Sequence, residues 1–369
     1  MTHFNTSEFL DPVRTQTWSN GRHLVRCVRV IRETADVCTF TFSLGQPVLF
    51  FFKPGQFVTL ELEIAGQRVM RSYTISSSPS IPYSFSITVK RVPGGEVSNW
   101  LHDNLQSGDQ IAVHGPVGQF NCLDYPAEKV LLLSGGVGIT PVMSMARWWF
   151  DTDTDVDIAF VHSARTPGDV IYRHELDYMS SRIGNFQLHL VCEHHDVGQV
   201  WGGYRGRVDI NMLKLIAPDF LEREVFCCGP EPYMKAIRTL LEQAGFDMRQ
   251  YHEESFDATP ARDVRQAEVH ADEAQQAELV ELEMVRVNFA DSGQSVEVAL
   301  GCNLNEAAAE AGINIPKACG IGICGACRVR IIDGRSSMAH NGGISAEEIE
   351  QGYVLSCCTQ VDGDLQVEF

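Results

Sequence analysis

The sequence predicts three folded modules in series: a small antiparallel barrel or sandwich, an α/β domain on a parallel sheet, and a compact α+β module. Three observations carry this reading. Residues 22 to about 120 run as short apolar–polar alternations separated by turn signals, the pattern of half-buried strands. From Lys129 the pattern becomes apolar strand, glycine turn and helix, the periodicity of a parallel sheet covered by helices. Residues 282–369 return to short strands and short helices. The length of 369 residues fits two or three domains at roughly 100–200 residues each.

Taken in order, residues 1–21 form an N-terminal extension. The segments HLVRCVRVI, VCTFTFSL, GQFVTLELEI, RVMRSYTI, SFSITVKRV and QIAVHGP supply the strands of a first domain over 22–125, with NWLHDNL as a helical stretch. A second domain over 126–256 holds KVLLL and its glycine turn and helix, then VDIAFVHSA, FQLHLVCE, and REVFCC followed by the helix of PYMKAIRTLLEQAG. Residues 257–281 are rich in Ala, Gln, Glu and Asp and nearly free of large apolar side chains, so they read as a linker with room for a helical stretch. In the third domain, 282–369, MVRVNFA and SVEVAL form a hairpin, LNEAAAEAGI a helix, CRVRIIDG a strand, SAEEIE a short helix and DLQVEF a closing strand.

Composition excludes several classes. With 44% hydrophobic and 21% charged residues, each domain can bury a core, so global disorder is excluded. The longest apolar run, Val48–Phe52, is far below the ~20 residues of a spanning helix, so no membrane span is expected. MTHFNTSEFLDP has neither a basic nor an apolar leader region, which makes the cytoplasm the expected compartment. A net charge of −19 argues against nucleic acid as a partner. From Asp257 onward there are 19 acidic and 7 basic residues. That part of the surface would suit a basic partner protein, or serve only solubility.

Twelve cysteines in a reducing compartment do not read as a disulfide framework. Eight are scattered or lie in apolar runs, as small buried hydrophobes do. The other four are grouped: Cys319, Cys324 and Cys327 give C-x4-C-x2-C, and Cys357 follows in VLSCC. This is the plant-type [2Fe–2S] spacing, in which four thiolates hold two irons. Gly320, Gly322 and Gly325 suit a loop folded tightly round a cluster. A zinc site is the alternative; the four-residue first gap and the missing second C-x2-C disfavour it.

Two further constellations accompany the cysteines. Arg71-Ser72-Tyr73-Thr74 ends a strand, with Arg71 and Tyr73 on one face, a set able to bind phosphate and stack on a flat ring. Gly94-Gly95-Glu96-Val97-Ser98 precedes a helix, offering backbone N–H groups and a capping hydroxyl to an anion. Taken alone, a strand Arg and Tyr are more often surface packing, and the glycine segment reads as an ordinary hairpin turn and N-cap. Downstream, Ser134-Gly135-Gly136-Val137-Gly138-Ile139-Thr140-Pro141 follows a strand and opens a helix, and Cys228-Gly229-Pro230 repeats the arrangement later. Both glycine turns fall at the carboxyl edge of one sheet, where ligands bind.

Together these motifs resemble the ferredoxin–NADP reductase superfamily, whose RxY[ST] motif and following glycine–serine turn bind flavin. The resemblance implies an antiparallel β-barrel for FAD, an α/β domain for the nicotinamide, and a β-grasp plant-type ferredoxin domain. It assigns Arg71, Ser72, Tyr73, Thr74, Lys90, Gly95, Val97 and Ser98 to flavin, and Gly135, Gly136, Gly138, Thr140, Cys228, Gly229 and Pro230 to the nicotinamide nucleotide. Thr74, Cys228 and Phe256 fall at the hydride-transfer centre. Cys357 rather than its neighbour Cys358 is the last cluster ligand because LSC matches that position in plant-type ferredoxins. NADH is preferred over NADPH on the same ground, with Arg165 in VHSART as the residue that could meet a 2′-phosphate. Gly115-Pro116-Val117-Gly118 is similar to the FAD-binding members rather than those that use FMN.

The order flavin, nicotinamide, ferredoxin is that of reductases of Rieske-type oxygenases and of hybrid cluster protein. RSYTISSSPS, SITVKRVPGGEVSNWLHD, GGVGITPVMSMARW and FCCGPEPYM are particularly similar to reductases of glycine-betaine monooxygenase systems. The implied function is transfer from NADH through FAD and [2Fe–2S] to a terminal Rieske-type oxygenase. A non-oxygenase partner, or an electron carrier without NADH activity, are the other readings.

Overall fold

The structure, a computed structural model, describes residues 16–18, 22–44, 48–195, 200–256, 284–313, 315, 322, 325, 327–340 and 343–369. The linker 257–281 and most of the extension 1–21 lie outside them. The chain divides into two compact units, residues 1–67 with 73–257, and residues 258–369 with 68–72.

Along the chain, the first elements are strands β1 (Gln16–Thr17), β2 (Arg22–Arg32), β3 (Val37–Ser43), β4 (Val48–Leu49), β5 (Phe57–Ile64), β6 (Gln67–Thr74) and β7 (Phe85–Lys90), helix α1 (Glu96–Asn104), and strand β8 (Gln110–Val117). Strands β1 and β4 form a separate parallel pair. The other six form one sheet in the order β6-β5-β8-β2-β3-β7. A bridge between Ile75 and Ile87 sets the chain just past β6 on β7 and closes the sheet on itself. Strand alternation explains the apolar run Val48–Phe52: Phe50 and Phe52 turn inward while Phe51 is 55% exposed. Phe50 stacks on Phe85 with ring centroids 4.7 Å apart.

The second domain of the first unit contains β9 (Lys129–Gly135), α2 (Ile139–Asp151), β10 (Asp157–Ala164), α3 (Arg173–Arg182), β11 (Phe186–Cys192), β12 (Tyr204–Arg205), α4 (Ile210–Ile216), β13 (Glu224–Cys228), α5 (Glu231–Gln243) and β14 (Tyr251–Glu254). The sheet order is β12-β11-β10-β9-β13-β14, and every pair is parallel. The chain steps outward from β9 to β12 and then returns to the other side of β9. This reversal opens a crevice at the carboxyl ends of β9 and β13.

Side chains fasten the barrel to this sheet. Arg147 on α2 donates to both carboxylate oxygens of Glu175 at 2.7 Å, donates to the Ser76 carbonyl, and lies 4.5 Å from the Tyr172 ring centroid. Ser144 donates to the Ser77 carbonyl at 2.7 Å, and Tyr172 shares a hydrogen bond with Thr88. The barrel segment just after Thr74 is thereby held against α2.

At the opposite end of the sheet, Arg223 is 4% exposed and donates to Asp219, Asp157 and the carbonyls of Val130 and Asp157. Arg223 leads the causes that hold the Asp219 carboxyl down at about 2. Arg223→Met keeps the stem but leaves both carboxylates without it, so the expected loss is about 3–5 kcal/mol, read from denaturant midpoints at neutral pH. The Asp219 part of this stabilisation is present above the usual carboxylate range and fades as pH falls toward 2, so the difference from wild type narrows in acid.

The second unit contains β15 (Met284–Phe289), β16 (Gln294–Ala299), α6 (Leu304–Glu310), β17 (Arg328–Met338), α7 (Ala346–Glu350), β18 (Tyr353–Leu355) and β19 (Thr359–Glu368). The order is β16-β15-β19-β17-β18, with β15 and β19 parallel and the other pairs antiparallel. Helix α6 buries Leu304, Ala307 and Ala308 in a core with Val287, Phe289, Val361 and Val367. This is a β-grasp arrangement. Strand β17 extends beyond the CRVRIIDG segment, and β18 was not expected from the sequence.

Candidate functional site

Two glycine turns build the floor of the crevice. Gly135 ends β9, Gly136–Gly138 form a single 3-10 turn, and α2 begins at Ile139. Opposite, Cys228 ends β13, and Gly229 and Pro230 lead into α5. The turns are in contact: a Cβ on Gly138 would lie 2.4 Å from the Cys228 carbonyl oxygen, and one on Gly229 would lie 2.8 Å from the Tyr233 ring. Helix α2, thirteen residues long, directs its first N–H groups and its positive end into the crevice. Thr140 is buried there and donates to the Val137 carbonyl at 3.2 Å.

The barrel contributes the end of β6. Arg71 is exposed, Ser72 and Tyr73 are half-buried, and Thr74 is buried. Gly95 is the N-cap of α1, with Gly94 before it at φ +72°. The sequence reading gave Ser98 as the capping hydroxyl, and the structure corrects this. Ser98 lies inside the first turn, and its Oγ accepts from the Val92 N–H at 3.2 Å. A Cβ on Gly95 would sit 2.7 Å from that Oγ, so the cap position is kept bare and the turn N–H groups stay accessible. Val97 and Ser98 are buried. Lys90 pairs with Asp36 at 3.1 Å, and Arg165 reaches Asp36 at 3.8 Å and Asp169 at 3.9 Å.

The two domains meet at a residue that sequence reasoning passed over. Glu254 ends β14 directly beside Cys228 in the parallel register, and its Oε2 accepts from the Thr74 hydroxyl at 3.4 Å. Thr74, Cys228 and Glu254 therefore converge from three strands. Burial raises the Glu254 carboxyl to about 8, and burial also raises the Cys228 thiol well above its ordinary value, so both are protonated at neutral pH. HEESF is legible as a motif in the sequence, but only this register singles out its carboxylate. Phe256, two residues on, is 42% exposed.

The folded state keeps a proton on Glu254 that the unfolded chain has released, so this group makes stability fall as pH rises from the carboxylate range to about 8. Glu254→Gln should match wild type in thermal midpoint near pH 4 and gain on it steadily up to pH 8. A midpoint difference independent of pH would overturn this assignment.

In the second unit, Cys327 and Cys357 are buried, and Cys358 is half-buried. Gly322 and Gly325 have φ +71°, and Cβ atoms on them would lie 2.7 Å from the Cys358 Sγ and 2.9 Å from the Gly343 carbonyl oxygen. Only glycine fits either place, as a loop wrapped on a cluster requires. Cys319 and Cys324 lie outside the described residues.

Family models match all three modules: an oxidoreductase FAD-binding domain over residues 25–122, an oxidoreductase NAD-binding domain over 132–239, and a 2Fe-2S iron-sulfur cluster binding domain over 287–362. The glycine betaine monooxygenase reductase subunit of Pseudomonas aeruginosa is 61% identical over 367 residues, covering 99% of this chain and 100% of that protein. The chain belongs to the family of these reductase subunits. The stachydrine N-demethylase reductase subunit of Rhizobium meliloti is 44% identical, over 93% of this chain and 95% of that one. The fold of the reductase matches phthalate dioxygenase reductase, a modular structure for electron transfer from pyridine nucleotides to [2Fe–2S], with a TM-score of 0.55, 22% identity, and coverage of 95% and 98% of the two chains. The reductase is thus an oxidoreductase whose cofactors are FAD and a [2Fe–2S] cluster, with NADH as co-substrate. Among the described residues, no helix is long and apolar enough to cross a membrane.

Proposed function

We propose that this reductase passes electrons from NADH through FAD and the [2Fe–2S] cluster to a terminal Rieske-type monooxygenase that demethylates glycine betaine or a related methylated amine. The observation that carries the proposal is the 61% identity across the full length of a glycine betaine monooxygenase reductase subunit. Bound flavin supplies the exchange between a two-electron hydride donor and a one-electron acceptor. The protein's part is positioning.

On this reading Arg71, the first-turn N–H groups from Val97 and Ser98 above bare Gly95, and Lys90 alongside Asp36 hold the flavin phosphates. Ser72, Tyr73 and Thr74 line its ring, with Tyr73 stacking and Thr74 bonding its edge. Gly135, Gly136, Gly138 and Thr140 seat the pyrophosphate of NADH at the start of α2. Cys228, Gly229 and Pro230 support the nicotinamide, and Glu254 fixes the Thr74 hydroxyl beside it. Phe256 is the aromatic that approaches the flavin ring. Cys319, Cys324, Cys327 and Cys357 ligate the cluster. The domain limits 22–125, 126–256 and 282–369 go with this division of labour, as does a cytoplasmic site, where reduced thiols are free to ligate iron.

The test is reconstitution of the purified holoprotein with NADH, oxygen, glycine betaine and the matching oxygenase component. Formaldehyde should appear one for one with NADH consumed, and only when all components are present. NADH-driven cytochrome c reduction without formaldehyde would point to a non-oxygenase partner, as in the reading with hybrid cluster protein. A chain that never oxidises NADH would be a carrier.

A further inference from the structure

Helix α2 has two ends with different duties. Its first turn faces the crevice, and eight residues on from Ile139, roughly 12 Å along the axis, Arg147 reaches the barrel. The Arg147 guanidinium donates to the Ser76 carbonyl. Ser144, three residues earlier and on the same face of the helix, donates to the Ser77 carbonyl at 2.7 Å. Ser76 follows Thr74 by two positions and is fully buried. The helix whose start forms one glycine turn of the crevice therefore grips two successive carbonyls just past the strand end that carries Thr74. A hold on carbonyls fixes the backbone itself, and two points of attachment fix orientation as well as distance.

The arginine is in turn aimed from α3 and the residue before it. Glu175 accepts from Nε and Nη2, both at 2.7 Å, and the Tyr172 ring lies 4.5 Å from the guanidinium carbon. Tyr172 is the N-cap of α3 with φ +59°, a left-handed backbone that is a genuine outlier for a bulky side chain. Its hydroxyl shares a hydrogen bond with Thr88, which also bonds the Ser76 hydroxyl at 3.0 Å. Unfavourable backbone of this kind persists where the surroundings over-determine it, and it clusters at functional sites. Here those surroundings converge on Ser76. Apolar side chains of similar volume would join the two domains about as firmly, whereas a forked, charge-assisted set of bonds gives direction.

We propose that Arg147, aimed by Glu175 and Tyr172, is a positioning residue for the passage of a hydride, with both its electrons, from nicotinamide to flavin: with Ser144 it sets the end of β6 at a fixed reach from the nucleotide seat. The inference rests on the FAD and NADH reading of the crevice. Arg147 acts through Ser76 and Thr74 and needs no contact of its own with either cofactor.

The test uses the FAD- and cluster-loaded holoprotein. Arg147→Lys keeps a cation beside Glu175 but lacks the fork that serves Glu175 and Ser76 together. The rate of flavin bleaching at saturating NADH, followed by stopped flow, is expected to fall at least about tenfold, since misplacement by about 1 Å can cost on the order of a hundredfold. Ser144→Ala, which removes one of the two holds, should lower it by a smaller factor. The Kd for NAD⁺, measured by calorimetry, should stay within about twofold of wild type, because the first turn of α2 is untouched. The loss then appears in the rate at saturation and not in the half-saturating NADH concentration. NADH deuterated at the transferred position should show an isotope effect on bleaching at least as large as in wild type. A purely structural role predicts a lower thermal midpoint and less bound FAD, with an unchanged bleaching rate per bound flavin. That result, or wild-type rates in both variants, overturns the proposal. A wild-type protein whose flavin NADH does not bleach would instead overturn the reading of the crevice.

Discussion

Replacing Cys357 with serine is expected to leave NADH-to-ferricyanide activity near the wild-type level and to abolish NADH-driven reduction of cytochrome c, while Cys358→Ser keeps both. Cys357 and Cys358 share the short 3-10 turn Ser356–Cys358, where successive side chains are turned by about 120°, so the two thiols cannot occupy one place. Cys357 is 7% exposed and packs in the core with Cys327. Its carbonyl accepts from the Asn303 side chain at 3.0 Å, and the Ser356 N–H donates to the Cys327 carbonyl at 3.0 Å. These bonds pin the two buried thiols as one rigid pair. Cys358 instead lies against Gly322 and its Sγ reaches the Leu355 carbonyl at 3.5 Å. Iron content, the electron paramagnetic resonance spectrum of the reduced protein and both activities decide the matter. If Cys358→Ser loses the cluster and Cys357→Ser keeps it, the fourth ligand is Cys358. If cytochrome c reduction survives in every cluster-free variant, the cluster is not the exit for electrons.

Much of this architecture can be read directly from the chain, for local reasons. Alternation over HLVRCVRVI or QFVTLELEI records one buried face, and KVLLLSGGVGITP carries a strand, a turn and a helix start within a few residues. The cluster spacing is likewise contained in nine residues. What stays hidden is set by register between distant segments. Thr74 and Glu254 are 180 positions apart, and they meet only because β14 is added beside β13 and because Arg147 holds the barrel against α2. The motif HEESF therefore points by resemblance to its aromatic end, while nothing local marks the carboxylate that contacts Thr74. Ser98 differs from expectation for a similar reason: serine ranks high as a cap, yet here glycine takes that position because any side chain would strike Ser98 itself.

The interlocked turns lead to an expected contrast between two glycines only two residues apart. Gly136 has φ +53° and open space around its missing Cβ, whereas Gly138 has φ −63°, accessible to any residue, but a Cβ there would lie 2.4 Å from the Cys228 carbonyl oxygen and 2.5 Å from the Gly229 Cα. Gly136→Ala then costs only the left-handed backbone, about 1–2 kcal/mol, and the turn keeps its shape. Gly138→Ala meets backbone on the opposite strand, which no rotamer change relieves. The β9 turn must lift away from the β13 turn, carrying the first N–H groups of α2 with it. Positioning errors of about 1 Å can cost on the order of a hundredfold in rate. Gly138→Ala should therefore lose at least about a hundredfold in kcat/KM for NADH while retaining bound FAD and an intact cluster spectrum, because the barrel and the second unit do not depend on that contact. Gly136→Ala should stay within about thirtyfold, the equivalent of its backbone cost. Equal losses in the two variants would mean that glycine at these positions serves backbone conformation alone, and the close approach of the two turns would then have no part in seating the nucleotide.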